Sequence, residues 1–157
     1  ENNAVTDIGG LVGLTSLFNV RGPGNRIIDI GPLAQARLST VDLSNNAIED
    51  ITALSGQARL EHLVLHGNAI SDLAPLSGLP LRWLDLDDNA VTDLGVVTSL
   101  PVLSAISLSR NPLSDVSPLL AAKLPRLSYL GLLGTQVSCP DVTILRALGY
   151  FVISACG

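Results

Sequence analysis

The chain has 157 residues, enough for one domain, with 9 Lys and Arg against 14 Asp and Glu and a formal net charge of −5. Hydrophobic residues make up 47 % and mean hydropathy is +0.45, yet no apolar run approaches the roughly 20 residues of a membrane helix. The few, scattered bases argue against a nucleic-acid partner, which needs clustered Lys and Arg.

From the head of the chain, asparagine returns at a fixed beat. Asn3, Asn25, Asn46, Asn68, Asn89 and Asn111 are separated by 22, 21, 22, 21 and 22 residues. Each is followed by an apolar residue two later, an Asp four later and an aliphatic five later. Asn46, for example, precedes Ile48, Asp50 and Ile51. Upstream lies L-x-x-L-x-L-x-x-N, in which the first Leu is position 1 and the Asn position 9. The frame is complete in Leu38–Asn46, Leu60–Asn68, Leu81–Asn89 and Leu103–Asn111. In Leu17–Asn25 the second inner leucine is Gly22, and in Leu127–Thr135 Thr replaces the Asn. A last copy is expected at Leu148, Phe151, Ile153 and Cys156, with Cys156 in the Asn place. The head begins mid-frame, with Glu1 at position 7 and no strand of its own. There is no Met and no visible signal peptide, so the chain reads as a processed product or an excised piece. Self-similarity at this period means stacked units, here a single repeat domain over 1–157 with a cap at about 136–157.

Alternation out and in across positions 3 to 7 is the period of a β-strand. One short strand per unit, stacked in parallel about 4.8 Å apart, gives a curved sheet of six or seven strands. The Asn side chain offers both donors and an acceptor to the backbone where the chain leaves the strand. Asn25, Asn46, Asn68, Asn89 and Asn111 are therefore expected to form a structural ladder. The Asp at position 13 suits the free N–H groups of a one-turn helix, and segments this short favour 3₁₀ turns. The tail differs. Ser138 and Asp141 have capping-box spacing, Val142 to Leu148 is a helical run, and Gly149 is a stop. This predicts one α-helix over about 140–148 and a final strand within Tyr150–Ala155.

The strings of the form L-x-x-L-x-L-x-x-N-x-I-x-D-I, such as Leu60 to Leu73, resemble the leucine-rich repeat family in its 22-residue, bacterial internalin-like class. The resemblance covers nearly the whole chain. It implies an α/β solenoid: a right-handed horseshoe or arc with a parallel concave sheet, 3₁₀ turns on the convex side and a C-terminal helix–strand cap. For function it implies non-enzymatic binding, usually of protein, on the concave sheet. The helical N-terminal cap and immunoglobulin-like domain of internalins have no counterpart in the sequence, so a host-adhesion role is not carried over. Cys139 and Cys156 fall at positions 13 and 9 of successive units. They read as a disulfide that pins the last coil if the protein is exported, or as two buried thiols, since Cys commonly replaces Asn in this family's ladder. Localisation follows the same fork: extracellular, periplasmic or cell-surface with a disulfide, cytoplasmic without one.

Outward strand positions form columns. Position 3 reads Asn19, Thr40, His62, Trp83, Ala105, Tyr129; position 5 reads Arg21, Asp42, Val64, Asp85, Ser107, Gly131; position 7 reads Pro23, Ser44, His66, Asp87, Ser109, Leu133; position 8 includes Asp88 and Arg110. A Trp on an outward position is the sharpest clue, because Trp is enriched at binding hot spots; the plain alternative is Trp83 lying flat over His62 and Arg82. Asp42, Asp85, Asp87 and Asp88 favour a basic protein or peptide, or simply keep the face soluble. The candidate face is centred on His62, Trp83, Asp85, His66 and Asp87, with Asp42, Asp88 and Tyr129 around it. Ser104, Ala105, Ser107 and Ser109 on the next coil are expected to add little.

Two other readings stay open. The chain could be an assembly subunit that stacks end to end through open solenoid edges. A hydrolase or metal site could form around His66 and Asp87, with Asp85, but no Ser or Cys nucleophile stands beside them, and His62 and His66 lie roughly 13 Å apart along one strand. The Gly22-Pro23-Gly24 stretch lacks the Lys and spacing of a phosphate loop. No cofactor and no metal are expected.

Overall fold

The computed structural model describes residues 3–122 and 124–156; Glu1, the head of the frame, lies outside them. Seven strands stack in chain order into one parallel sheet: β1 Asn19–Arg21, β2 Thr40–Asp42, β3 His62–Val64, β4 Trp83–Asp85, β5 Ala105–Ser107, β6 Tyr129–Gly131 and β7 Phe151–Ile153. Each strand is only three residues long and occupies positions 3 to 5. Single backbone bonds carry the pairing further, as where Leu43 N donates to Val64 O (3.0 Å) and Asn45 N to His66 O (2.7 Å). From Leu38 to Leu132 the aliphatic residues of positions 1, 4 and 6 are buried, and Leu17 and Val20 of the first coil are half-buried; Leu60, Leu63 and Leu65 are all 0 % exposed. Each such side chain contributes roughly 1.5–3 kcal/mol by leaving water. Together they form one continuous core running the length of the arc.

The ladder forms as the residue type demands. Asn46 Nδ2 donates to Leu43 O (2.9 Å) in its own coil and Gly22 O (3.0 Å) in the coil before, while its Oδ1 accepts from Ile27 N (3.0 Å). Asn68, Asn89 and Asn111 repeat both arms. Asn25, on the first rung, donates to Gly22 O and accepts from Val5 N. Thr135 keeps one arm, its hydroxyl donating to Leu132 O (2.8 Å). Ahead of each convex turn the Asp carboxylate accepts the N–H two residues on, from Gly9, Gly31, Thr52, Ala74, Gly95 and Ser117 at 2.6–2.8 Å. That bond holds Asp50 and Asp115 below the ordinary carboxylate value, with Thr52 N–H and Ser117 N–H as the largest causes. Buried Gln57 adds an unforeseen tie between coils, its Oε1 accepting from Leu38 N (3.1 Å).

Five of the convex segments are 3₁₀, at Gly9–Leu11, Gly31–Leu33, Thr52–Leu54, Ala74–Leu76 and Gly95–Ser99. The sixth corrects the expectation of a single helix: Ser117–Ala121 is a short α-helix, α1. Its coil is longer, 24 residues from Leu103 to Leu127 against 21 or 22 elsewhere, and the extra chain widens the turn. The cap helix α2 spans Cys139–Ala147. Ser138 Oγ accepts from Asp141 N (3.2 Å) and donates to Asp141 Oδ2 (2.6 Å), and Gly149, at φ +97°, ends the helix in a left-handed conformation.

The final frame is displaced by one residue from its expected place. Tyr129, Leu130 and Gly131 pair with Phe151, Val152 and Ile153, so Phe151 stands at position 3, and Val152, not Phe151, fills the core. The cause is α2: Leu148 is its C-cap, so position 1 falls on Gly149. A slip of one residue turns every strand side chain to the other face. Cys156 consequently leaves the Asn place; it is bonded to Cys139, with Cα atoms 5.4 Å apart at a sequence separation of 17.

Candidate binding face

Because the odd frame positions face outward from seven parallel strands in register, the concave surface is a grid of side chains about 4.8 Å apart in one direction and about 7 Å in the other. Along position 3, Trp83 stacks on Tyr129 with ring centroids 6.1 Å apart and planes 22° apart. His62 is the neighbour of Trp83 in register on β3, and Arg82 Nε is 3.0 Å from Glu61 Oε2. Ala105 stands between the two rings in register and is only 7 % exposed. Its small side chain lets rings two strands apart meet above it. Ser107 and Ser109 are likewise buried, so this coil forms the floor of the face. Tyr129 continues the row to Phe151, centroids 6.1 Å and planes 31° apart.

Phe151 was absent from the sequence-derived face because the assumed frame placed it inward. The signal that finds it is the helix stop at Gly149, which resets the count.

The acids divide into two kinds. Asp42 Oδ2 lies 3.8 Å from Arg21, and Asp88 is paired by two nitrogens of Arg110. Asp85 and Asp87 have no Arg or Lys within ion-pair distance among the described residues. Instead Asp85 Oδ1 accepts from Asp87 N (3.1 Å), and Asp87 Oδ1 accepts from Ser109 N (2.7 Å) on the next coil. Burial pushes the Asp85 carboxyl above the ordinary value of 3.8; Asp87 N–H opposes this, and the neighbouring Asp87 charge adds to it. Asp88 is held below that value, chiefly by its hydrogen bonds from Arg110.

His66 also departs from the expected pairing. Its Nδ1 lies 3.3 Å from Asp88 Oδ2, so its carboxylate partner is Asp88 and not Asp87. Position 8 is the reason. Its residues adopt a left-handed backbone in every coil from Gly24 to Gly134, including Asn45 (φ 53°), Asp88 (φ 52°) and Arg110 (φ 57°). That turn swings the Asp88 side chain toward His66, while Asp87 is occupied by Ser109 N–H. Left-handed Arg is strained, and the pair with Asp88 accompanies that strain. His62 is exposed beside Trp83 in register. Among the described residues no three His, Cys, Asp or Glu side chains are grouped to hold a metal ion, and no helix is long and apolar enough to cross a membrane.

Strand register, Asn ladder and capped last coil define a leucine-rich-repeat arc. No protein-family model and no curated protein sequence matches the chain; the kinship is carried by solved structures. Internalin C2 of Listeria monocytogenes superposes with a TM-score of 0.87 at 32 % identity, over 99 % of this chain and 69 % of its own. Internalin F of the same organism gives 0.79 at 31 % identity, over 90 % of this chain and 43 % of its own. TLR13, in its complex with ssRNA13, shares the fold at 24 % identity and a TM-score of 0.66. The chain belongs to the internalin family of leucine-rich-repeat proteins.

Proposed function

We propose that the protein is a non-enzymatic binding module of bacterial origin that works outside the cytoplasm and recognises a protein or peptide, with a basic segment preferred, on its concave face. The observation that carries the reading is Trp83. It is 39 % exposed at the middle of the sheet, stacked on Tyr129, and beside two carboxylates that have no Arg or Lys within ion-pair distance among the described residues. A partly exposed aromatic ringed by polar groups is the usual composition of a hot spot. His62, His66, Asp42 and Asp88 complete the surface. Internalin neighbours support binding as the role of the fold, and the Cys139–Cys156 disulfide supports an oxidising compartment. TLR13 is solved with RNA, but among the described residues Asp85 and Asp87 stand on this face with no Arg or Lys in ion-pair distance, where a phosphate backbone needs cations. End-to-end assembly finds less support, because Arg146 donates to Val152 O (3.3 Å) and Cys156 O (3.0 Å) and so covers β7 on the side away from β6. The test is affinity for a bound protein or peptide measured on Trp83→Ala and Ser107→Ala. The first should lose about 2 kcal/mol or more and the second little. Unchanged affinity in Trp83→Ala would place the site elsewhere.

A further inference from the structure

We infer that the docking segment of the partner is bipartite: an apolar side chain seated at the C-terminal end of the concave face, and an Arg or Lys about four residues away seated at Asp85 and Asp87. This rests on the concave-face reading and adds where the segment lies and what it must carry.

Phe151, Ile153 and Leu133 are 66 %, 40 % and 44 % exposed, all on the last two coils of this one face. The core beneath them is filled by Leu130, Leu132 and Val152, so the exposure is not a failure of packing. Single exposed apolar residues are ordinary, but a contiguous group on one face marks an interaction surface. Stacking through Tyr129 joins this group to Trp83. An apolar strip thus crosses the sheet from β7 to β4 and ends against Asp85 and Asp87. Among the described residues these two acids have no Arg or Lys within ion-pair distance, Arg110 acting on them only from beyond it, so an incoming cation complements them, and the partly exposed Trp83 ring beside them adds a cation–π attraction.

Register fixes the spacing. Phe151 and Trp83 occupy the same frame position three strands apart, which is about 14 Å at ~4.8 Å per strand. An extended chain crossing the strands advances about 3.3 Å per residue, so it spans that gap in about four residues. Residues i and i+4 of an extended segment point the same way. One segment can therefore set an apolar anchor on Phe151 and Ile153 and a cation on Asp85 and Asp87 together.

The experiment pans a phage-displayed library of random 12-residue peptides on the immobilised chain, then measures recovered peptides in solution against wild type, Phe151→Ser, Asp85→Asn/Asp87→Asn and Trp83→Ala. Circular dichroism verifies that each variant is folded. Recovered peptides should share an apolar residue and an Arg or Lys about four apart. Phe151→Ser and the double Asn variant should each weaken binding at least tenfold, and replacing the peptide's cation by Ala should add nothing further to the double variant. Peptides without a cation, or binding indifferent to Phe151→Ser, would overturn the inference. So would a failure to enrich any peptide, or glycan-array binding in its place. Loss in Trp83→Ala with none in Phe151→Ser sinks the bipartite segment alone; indifference to every variant sinks the concave-face reading with it.

Discussion

Asn68→Ala tests the ladder at a rung whose partners are all defined. Asn68 Nδ2 donates to Leu65 O (2.8 Å) and Leu43 O (3.1 Å), and Oδ1 accepts from Ile48 N (3.0 Å). After truncation the carbonyls are not stranded: Leu65 O still accepts from Asn89, and Leu43 O from Asn46. Ile48 N–H loses its side-chain acceptor inside the stack. One buried donor left without a partner costs about 1–3 kcal/mol. Taking ~2 kcal/mol, a domain of this size should lose about 4–8 °C in Tm, measured by calorimetry. Asn68→Asp separates the two arms. It keeps the acceptor for Ile48 N–H but turns an anion toward the carbonyls of Leu43 and Leu65. It should be less stable than Asn68→Ala at neutral pH and recover on acidification, when the protonated carboxyl can donate. Unchanged melting in both Asn68→Ala and Asn89→Ala would refute the bonding scheme.

Other perturbations follow from the same geometry. Asp85 has a raised folded pKa, so its ionised form penalises the fold above that pKa, and the penalty vanishes once pH falls below the unfolded value near 3.8; Asp85→Asn should raise Tm at pH 7, with a gain that shrinks toward pH 3, and a gain independent of pH would contradict this. The disulfide closes a loop with a sequence separation of 17, worth about 3 kcal/mol by loop entropy; native mass should be two hydrogens below that of the reduced chain, and a Cys139→Ser/Cys156→Ser variant should unfold at lower denaturant. Two alkylatable thiols in unreduced protein would remove that bond. Arg110 holds a left-handed backbone, so Arg110→Gly should be more stable than Arg110→Ala by about 1 kcal/mol, against the usual order; chemical denaturation giving the Ala variant as the more stable would refute the strain.

Most of the fold was legible because the repeat states it many times. An aliphatic residue at position 4, a Leu at 6 from Leu43 to Leu132 and an Asn at 9 up to Asn111, copied through coil after coil, fix strand, core and turn together. Legibility failed where repetition stopped. Leu148 matches the frame by type, but it belongs to the end of α2, and nothing before Gly149 marks the reset that exposes Phe151. The site was harder to read for a different reason. Position columns tell which side chains share a face, but not which way a side chain leans. Asp87 and Asp88 are adjacent in sequence, and only the left-handed turn at Asp88 decides which of them meets His66. Likewise the small size of Ala105 looked like absence of a contact, whereas it is what allows Trp83 to reach Tyr129.

Concave-face recognition is tested most directly by site-specific photo-crosslinking. A benzophenone side chain is placed in turn at His62 and Phe151 on the sheet, and at Glu49 and Ser71 beside the 3₁₀ turns, all exposed positions. Each chain is irradiated with a whole-proteome extract, and adducts are identified by mass spectrometry. Concave recognition predicts a common partner captured from His62 and Phe151, lost in the Trp83→Ala background, and absent from Glu49 and Ser71. Capture of that partner from Glu49 or Ser71, with none from the sheet positions, would contradict it.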